Sequence, residues 1–269
     1  MALGDDRDDE LQLPDFSRHV LGQLGLSFPD GRSSVSLPDA DVLRDPDGHL
    51  NFGVLGVLLD MASSGAFADD VWVPWVHADI TAHRLAPPQG GVTASARLLR
   101  RGKRTAVVDL DVRDDAGALV GASTQQITFL GPPPDPAPDR DRRQQAWQAM
   151  FDGTCRLARS LPEHLGIRTG GAGTWEMDHG PDRTNGLSGL HGGVTTTFVD
   201  VAAAGTVAER RGAPARTVSA AVRYLKPALH GPFTITPEVL GDDGRVAVVR
   251  TPVLDVEGTL VITADVHVG

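Results

Sequence analysis

The residues best suited to chemistry in this chain are Asn185, then His191-Gly192-Gly193, then Asp200. The histidine and glycines open a long apolar segment, HGGVTTTFVDVAAAGTV, which reads as a helix. A helix N-terminus leaves N–H groups unpaired and carries partial positive charge. Glycine at that position lets a carbonyl oxygen approach those N–H groups closely, as an oxyanion hole requires. A carboxylate in apolar surroundings, such as Asp200, can serve as base or nucleophile toward an acyl carbon. Distance limits how these parts combine. Gly192 and Asp200 lie about 12 Å apart along one helix, and His191 and Asp200 about 13 Å apart and half a turn out of phase. Reacting atoms must come within about 3.5 Å. The site must therefore be composite, with the glycine end of one helix beside the aspartate of an antiparallel partner.

An internal repeat supplies that partner. A shift of 140 residues superposes Gly53 on Gly193, Val54 on Val194, Asp60 on Asp200, Ala62 on Ala202, Gly65 on Gly205, Leu85 on Leu225 and Pro87 on Pro227. After one extra residue, a shift of 141 superposes Arg104 on Arg245, Val107 on Val248, Asp114 on Asp255, Gly117 on Gly258 and Leu119 on Leu260. The chain is a duplication. The proline-rich stretch GPPPDPAPD at 131–139 reads as the extended spacer between residues 1–130 and 140–269, and residues 140–151 read as a helix.

Each half repeats one order of elements. A short helix (near 15–23 and 157–165) precedes a brief strand (33–37 and 173–178). The long apolar segment follows, NFGVLGVLLDMASSGAF in the first half. A helix apolar on nearly every side must be buried on every side. Four strands at hairpin spacing complete each half, at 74–86, 90–101, 104–114 and 118–129, and at 215–227, 232–241, 244–256 and 258–268, separated by turns such as Asp115-Ala116-Gly117. The fold class is α+β, with a curved antiparallel sheet wrapped around a central helix in each half.

The spacing Asn185…His191-Gly192-Gly193…Asp200, with the later segment TVSAAVRYLKPA at 217–228, resembles the phenylacetyl-CoA-thioesterase-like branch of the hotdog superfamily. The likeness is strong across 185–269 and repeat-supported across 45–129. It implies two hotdog repeats forming a covalent pseudo-dimer, and an acyl-CoA thioesterase that needs no cofactor. In that family the helix-start glycine N–H polarises the thioester carbonyl, asparagine and histidine lie nearby, and the neighbouring protomer supplies the aspartate with a Ser/Thr on the following strand. Thr217 falls at that Ser/Thr position.

The first half departs from the pattern. Asp45 stands for Asn185, Asn51 for His191, Phe52 for Gly192 and His77 for Thr217. Two unequal composite sites follow. One joins Asn185, His191, Gly192 and Gly193 with Asp60 and His77. The other joins Asp200 and Thr217 with Asp45, Asn51 and Phe52, where the phenyl ring crowds the oxyanion approach and the Asp45 charge would repel an oxyanion. The first is expected to be active. The acyl group is expected between the helices, against Thr195, Phe198, Leu55 and Leu59.

Composition narrows the alternatives. The net charge of −10 argues against nucleic acid or an anionic membrane as partner. The start MALGDDRDDE has no apolar core of a signal peptide, and the single Cys155 fits a reducing cytoplasm. His77, Asp79 and His83 share a strand face, but without companion ligands no metal is expected. The basic tip Arg100-Arg101-Gly102-Lys103-Arg104 reads as a solvated turn. A non-catalytic acyl-CoA sensor and a hotdog hydratase are the competing readings, and pairing of two chains into a homodimer is compatible with each.

Overall fold

The computed structural model describes residues 20–29, 34–66, 75–131 and 151–269. The proline-rich spacer beyond Gly131, the helix expected at 140–151 apart from Phe151, the start of the first helix and Trp72 lie outside the described residues.

The first half runs α1 (Gly22–Leu24), β1 (Ser34–Leu37), α2 (Phe52–Gly65), β2 (Trp75–Arg84), β3 (Val92–Arg101), β4 (Thr105–Asp114) and β5 (Leu119–Phe129). The second runs α3 (Leu161–His164), β6 (Arg168–Thr169), β7 (Trp175–Met177), α4 (Gly192–Arg211), β8 (Thr217–Tyr224), β9 (Phe233–Ile235), β10 (Glu238–Asp242), β11 (Ala247–Leu254) and β12 (Leu260–Val268). Each half is a hotdog repeat, an antiparallel sheet around one long helix. In α2 every residue from Phe52 to Ser63 is buried, as a helix apolar all round requires.

The two sheets are one. Strand order is β1-β3-β4-β5-β2-β8-β12-β11-β9-β7-β6, with β10 also paired to β11. The seam is the antiparallel pair β2–β8, in register from Asp79 opposite Arg223 to His83 opposite Ser219. Thr81 opposite Ala221 marks its middle, so the halves relate by an approximate two-fold there.

Two expected elements are shorter than the sequence suggested. The strand at 232–241 is split into β9 and β10 around Thr236-Pro237, because proline brings no N–H to a ladder. The helix at 157–165 is reduced to α3, started by a capping box between Ser160 and Glu163.

Glycines set the distance between the central helices. A Cβ on Gly56 would overlap the Thr196 side chain, one on Gly53 would come within 2.5 Å of Thr197 Oγ1, and one on Gly193 within 2.6 Å of Val57 Cα. Rising numbers on α2 meet falling numbers on α4, so the helices are antiparallel and nearly in backbone contact. Thr195, Phe198, Leu55 and Leu59 are each at most 1% exposed. The glycines bring the helices close together around these four residues, which were expected to line the acyl group.

Candidate active site

Antiparallel helices create two places where the start of one meets the carboxylate of the other. At the first, His191 caps α4 from an extended backbone conformation. The Gly193 N–H donates to Asp60 Oδ2 of α2 at 2.9 Å. His191 Nδ1 lies 3.1 Å from the same oxygen. His191 Nδ1 also accepts from the Gly193 N–H at 3.1 Å, so that N–H is shared between the imidazole and the carboxylate. Burial holds the His191 pKa below its ordinary value, with a further push from His77 and an opposing pull from the Asp60 charge. The imidazole is neutral at pH 7. Gly192, the first helical residue, donates its N–H to no acceptor among the described residues. A Cβ there would collide with Asp60 Oδ2 and come within 3.2 Å of Tyr224 Oη.

The other carboxylate oxygen, Asp60 Oδ1, faces His77 Nδ1 at 3.6 Å. His77 is held from behind: its Nε2 lies 2.8 Å from Gln125 Oε1 and 3.2 Å from Ser63 Oγ. Bonding to an acceptor oxygen puts a proton on Nε2. Ser63 itself donates to the Asp60 carbonyl at 2.7 Å. Gln125 and Ser63 are fully buried, and such groups persist only when bonded. Trp75 packs edge-on against His77, with ring centroids 5.1 Å apart. Asp60, with Oδ2 held by the Gly193 N–H and Oδ1 beside His77, can act as base or nucleophile next to a spare helix-start N–H.

The second place is built differently. Asn51 caps α2 by accepting from the Gly53 and Val54 N–H groups and donates to Asp45 Oδ1 at 3.0 Å. Arg84, on β2, pairs with Asp45 Oδ2 and donates to the Leu50 carbonyl at 3.3 Å. Burial pushes the Asp200 pKa up to about 6; the Thr217 hydroxyl lowers it, the Asp45 charge raises it, and Arg84 and the Gly53 N–H lower it. Thr217 Oγ1 is buried without a partner at full hydrogen-bond geometry, so its dipole rather than a formed bond acts on Asp200. Phe52, in the place of Gly192, is buried at 1% exposure.

The structure thus gathers Asp60, His77, His191, Gly192 and Gly193 at one end of the helix pair, and Asp200, Thr217, Asn51 and Phe52 at the other. Asn185 is placed in the 184–190 turn, where its Oδ1 accepts from the Leu187 and Gly189 N–H groups. Phe198 lies at 0% exposure inside α4. Sequence reasoning missed Gln125, Ser63, Tyr224 and Arg84. The repeat carried a signal for all four: Gln125 stands where the other half has Val266, Ser63 where it has Ala203, and Arg84 where it has Tyr224.

A family model described as "Thioesterase superfamily" matches the chain twice, over residues 47–121 and 188–262, one helix start in each match. The chain belongs to the thioesterase superfamily. Among solved structures, the tesB protein of Mycobacterium avium subsp. paratuberculosis is 13% identical, with a TM-score of 0.64 over 92% of this chain and 96% of that one. An acyl-CoA thioesterase II from Mycobacterium marinum is 11% identical, with a TM-score of 0.55 over 92% and 95%. The 12:0-ACP thioesterase of Umbellularia californica is 11% identical, with a TM-score of 0.60 over 88% and 93%. These likenesses extend over nearly the whole chain and establish the tandem hotdog architecture. Comparison with curated protein sequences finds no match. As a superfamily member the chain is expected to act on a thioester. Among the described residues no cluster of His, Cys, Asp or Glu could hold a metal ion, and no helix is long and apolar enough to cross a membrane.

Proposed function

We propose that this chain hydrolyses acyl-CoA thioesters at the composite site of Asp60, His77, His191, Gly192 and Gly193. The observation that carries the reading is the bond from the Gly193 N–H of one half to Asp60 Oδ2 of the other. It fixes a carboxylate beside a helix start whose Gly192 N–H is unused. The thioester carbonyl oxygen accepts from that N–H, and the α4 dipole favours the negative charge that develops there. The Asp60 carboxylate either takes a proton from a water attacking the carbonyl carbon or attacks that carbon directly. In the water route, the C–O bond forms as the water proton passes to Asp60. The C–S bond then breaks, and the proton returns to the departing thiolate. Gln125 and Ser63 hold His77 beside Oδ1, and the Gly193 N–H holds Oδ2 next to the helix start.

The Asp200 end is proposed to be non-catalytic, because Phe52 replaces the glycine and the Asp45–Arg84 pair fills the approach. The proposed setting is the cytoplasm, with acyl-CoA as the only required partner.

The test is thiol release from a panel of acyl-CoAs from acetyl and phenylacetyl to palmitoyl, run beside the same acyl groups on a carrier protein. Turnover on acyl-CoA that disappears in Asp60→Asn and Gly192→Val supports the reading. Turnover confined to the carrier protein would reassign the thiol carrier. Tight acyl-CoA binding without any turnover would make the chain a sensor.

A further inference from the structure

Tyr224 is the only tyrosine in the chain, and it ends the seam strand β8 beside the start of α4. Its hydroxyl donates to the Gly192 carbonyl at 3.4 Å, a long bond. The same hydroxyl lies within 3.2 Å of where a Gly192 Cβ would stand, on the side occupied by Asp60 Oδ2. Its ring is 6.3 Å from that of His77. The phenol therefore joins the group around Asp60 while spending its proton on a long bond. The matching position of the other half is Arg84, a cation whose Nη1 pairs with Asp45 and donates to the Leu50 carbonyl. Only one end of the helix pair has a neutral donor here.

We infer that Tyr224 is a catalytic residue of the proposed hydrolysis, donating a second hydrogen bond, beside that of the Gly192 N–H, to the oxyanion formed on the thioester carbonyl. The inference rests on the Asp60 reading above. Burial and the Asp60 charge push the phenol pKa well above its ordinary value, while the adjacent Thr195 hydroxyl opposes them. That direction agrees with the role the geometry gives it. A phenol less acidic than a thiol cannot usefully protonate a departing thiolate, but it stays neutral and donates at any working pH. A weak ground-state bond to Gly192 that is exchanged for a strong one to an oxyanion favours the transition state over the bound substrate, so it acts on kcat.

The experiment compares the parent chain, Tyr224→Phe and Asp60→Asn on the best acyl-CoA of the panel. Tyr224→Phe keeps the ring, so its packing survives. It is expected to lower kcat about 100-fold, the scale of one oxyanion donor, with little change in KM. Because there is one tyrosine, biosynthetic incorporation of mono-, di- and trifluorotyrosine alters this residue alone, and kcat is expected to vary with the acidity of the phenol. Tyr224→Phe with parental kcat while Asp60→Asn is inactive would overturn the tyrosine role and leave the hydrolase standing. A kcat flat across the fluorotyrosines would also overturn it, even if Tyr224→Phe were poorly folded. A parent chain inactive on every thioester would overturn both.

Discussion

Asp60 and Gly193 are 133 residues apart in sequence and are joined by a 2.9 Å hydrogen bond. Neither half can make this contact alone, since the carboxylate belongs to α2 and the N–H to α4. The duplication is thus what completes the site. The mirrored contact, Gly53 with Asp200, belongs to a different electrostatic setting, and this asymmetry gives the first prediction.

Asp60→Asn is expected to lower kcat/KM for acyl-CoA by about 10³-fold, the middle of the range for losing a positioned base. Asp200→Asn is expected to leave it close to the parent value. Steady-state kinetics of the two variants decide the matter. Full activity in Asp60→Asn with loss in Asp200→Asn would reverse the assignment of the two ends.

Much of this was legible in the sequence, for identifiable reasons. Apolar residues on every side of 53–62 announced a wrapped helix, and the α2 burial matches. Helix rise alone showed that one helix could not supply both the glycine and the aspartate. Strand breaks were less visible, since the run at 232–241 alternates like a strand although Pro237 brings no N–H to a ladder. The close helix approach was not foreseen, because Gly53 and Gly193 were read for the repeat and the chemistry and Gly56 was not singled out. Their lack of a side chain also closes the gap. Gln125 and Arg84 went unnoticed because the halves were compared for shared residues, whereas both matter where the halves differ.

The helix contact yields a stability prediction. In a helix interior Gly→Ala ordinarily gains up to about 1 kcal/mol. At Gly56 the added carbon would meet Thr196, and at Gly193 the Val57 backbone. A β-branched side chain and a helix backbone cannot swing aside, so overpacking of about 1–3 kcal/mol should outweigh the gain. Both Gly56→Ala and Gly193→Ala are expected to melt several degrees lower than the parent, at about 2–4 °C per kcal/mol for a chain of this size. Gly193→Ala should also lose activity by displacing the N–H that holds Asp60. A raised melting temperature in either variant would mean that the helices yield freely.

Arg84 is expected to be a structural cation. Its side chain is 3% exposed and pairs with Asp45, near Asp200. Arg84→Met would leave Asp45 without its cation and raise the pKa of Asp200 further. Removing one partner of a buried pair costs about 3–5 kcal/mol, at the lower end here because Asp45 is 20% exposed. Adding Asp45→Asn should recover most of the loss in denaturant titrations. Equal stability of Arg84→Met and the parent would show that the pair contributes nothing.

Asp200 makes stability depend on pH in a direction opposite to that of a salt-bridged carboxylate. Its folded pKa of about 6 lies above the ordinary 3.8. Between those values the folded chain holds a proton that the unfolded chain has released, so this group's contribution to stability falls as pH rises through that window. Above pH 6 the buried charge costs a constant amount, about 3 kcal/mol for a shift of roughly two units. Asparagine carries no charge and can still accept from the Gly53 N–H. Asp200→Asn is therefore expected to be more stable than the parent at pH 7.5, with the difference shrinking toward zero near pH 4. Denaturant midpoints of both chains across that range measure it. A difference that stays constant with pH would mean that Asp200 titrates alike in the folded and unfolded chain, and burial could not then be what distinguishes its end of the helix pair.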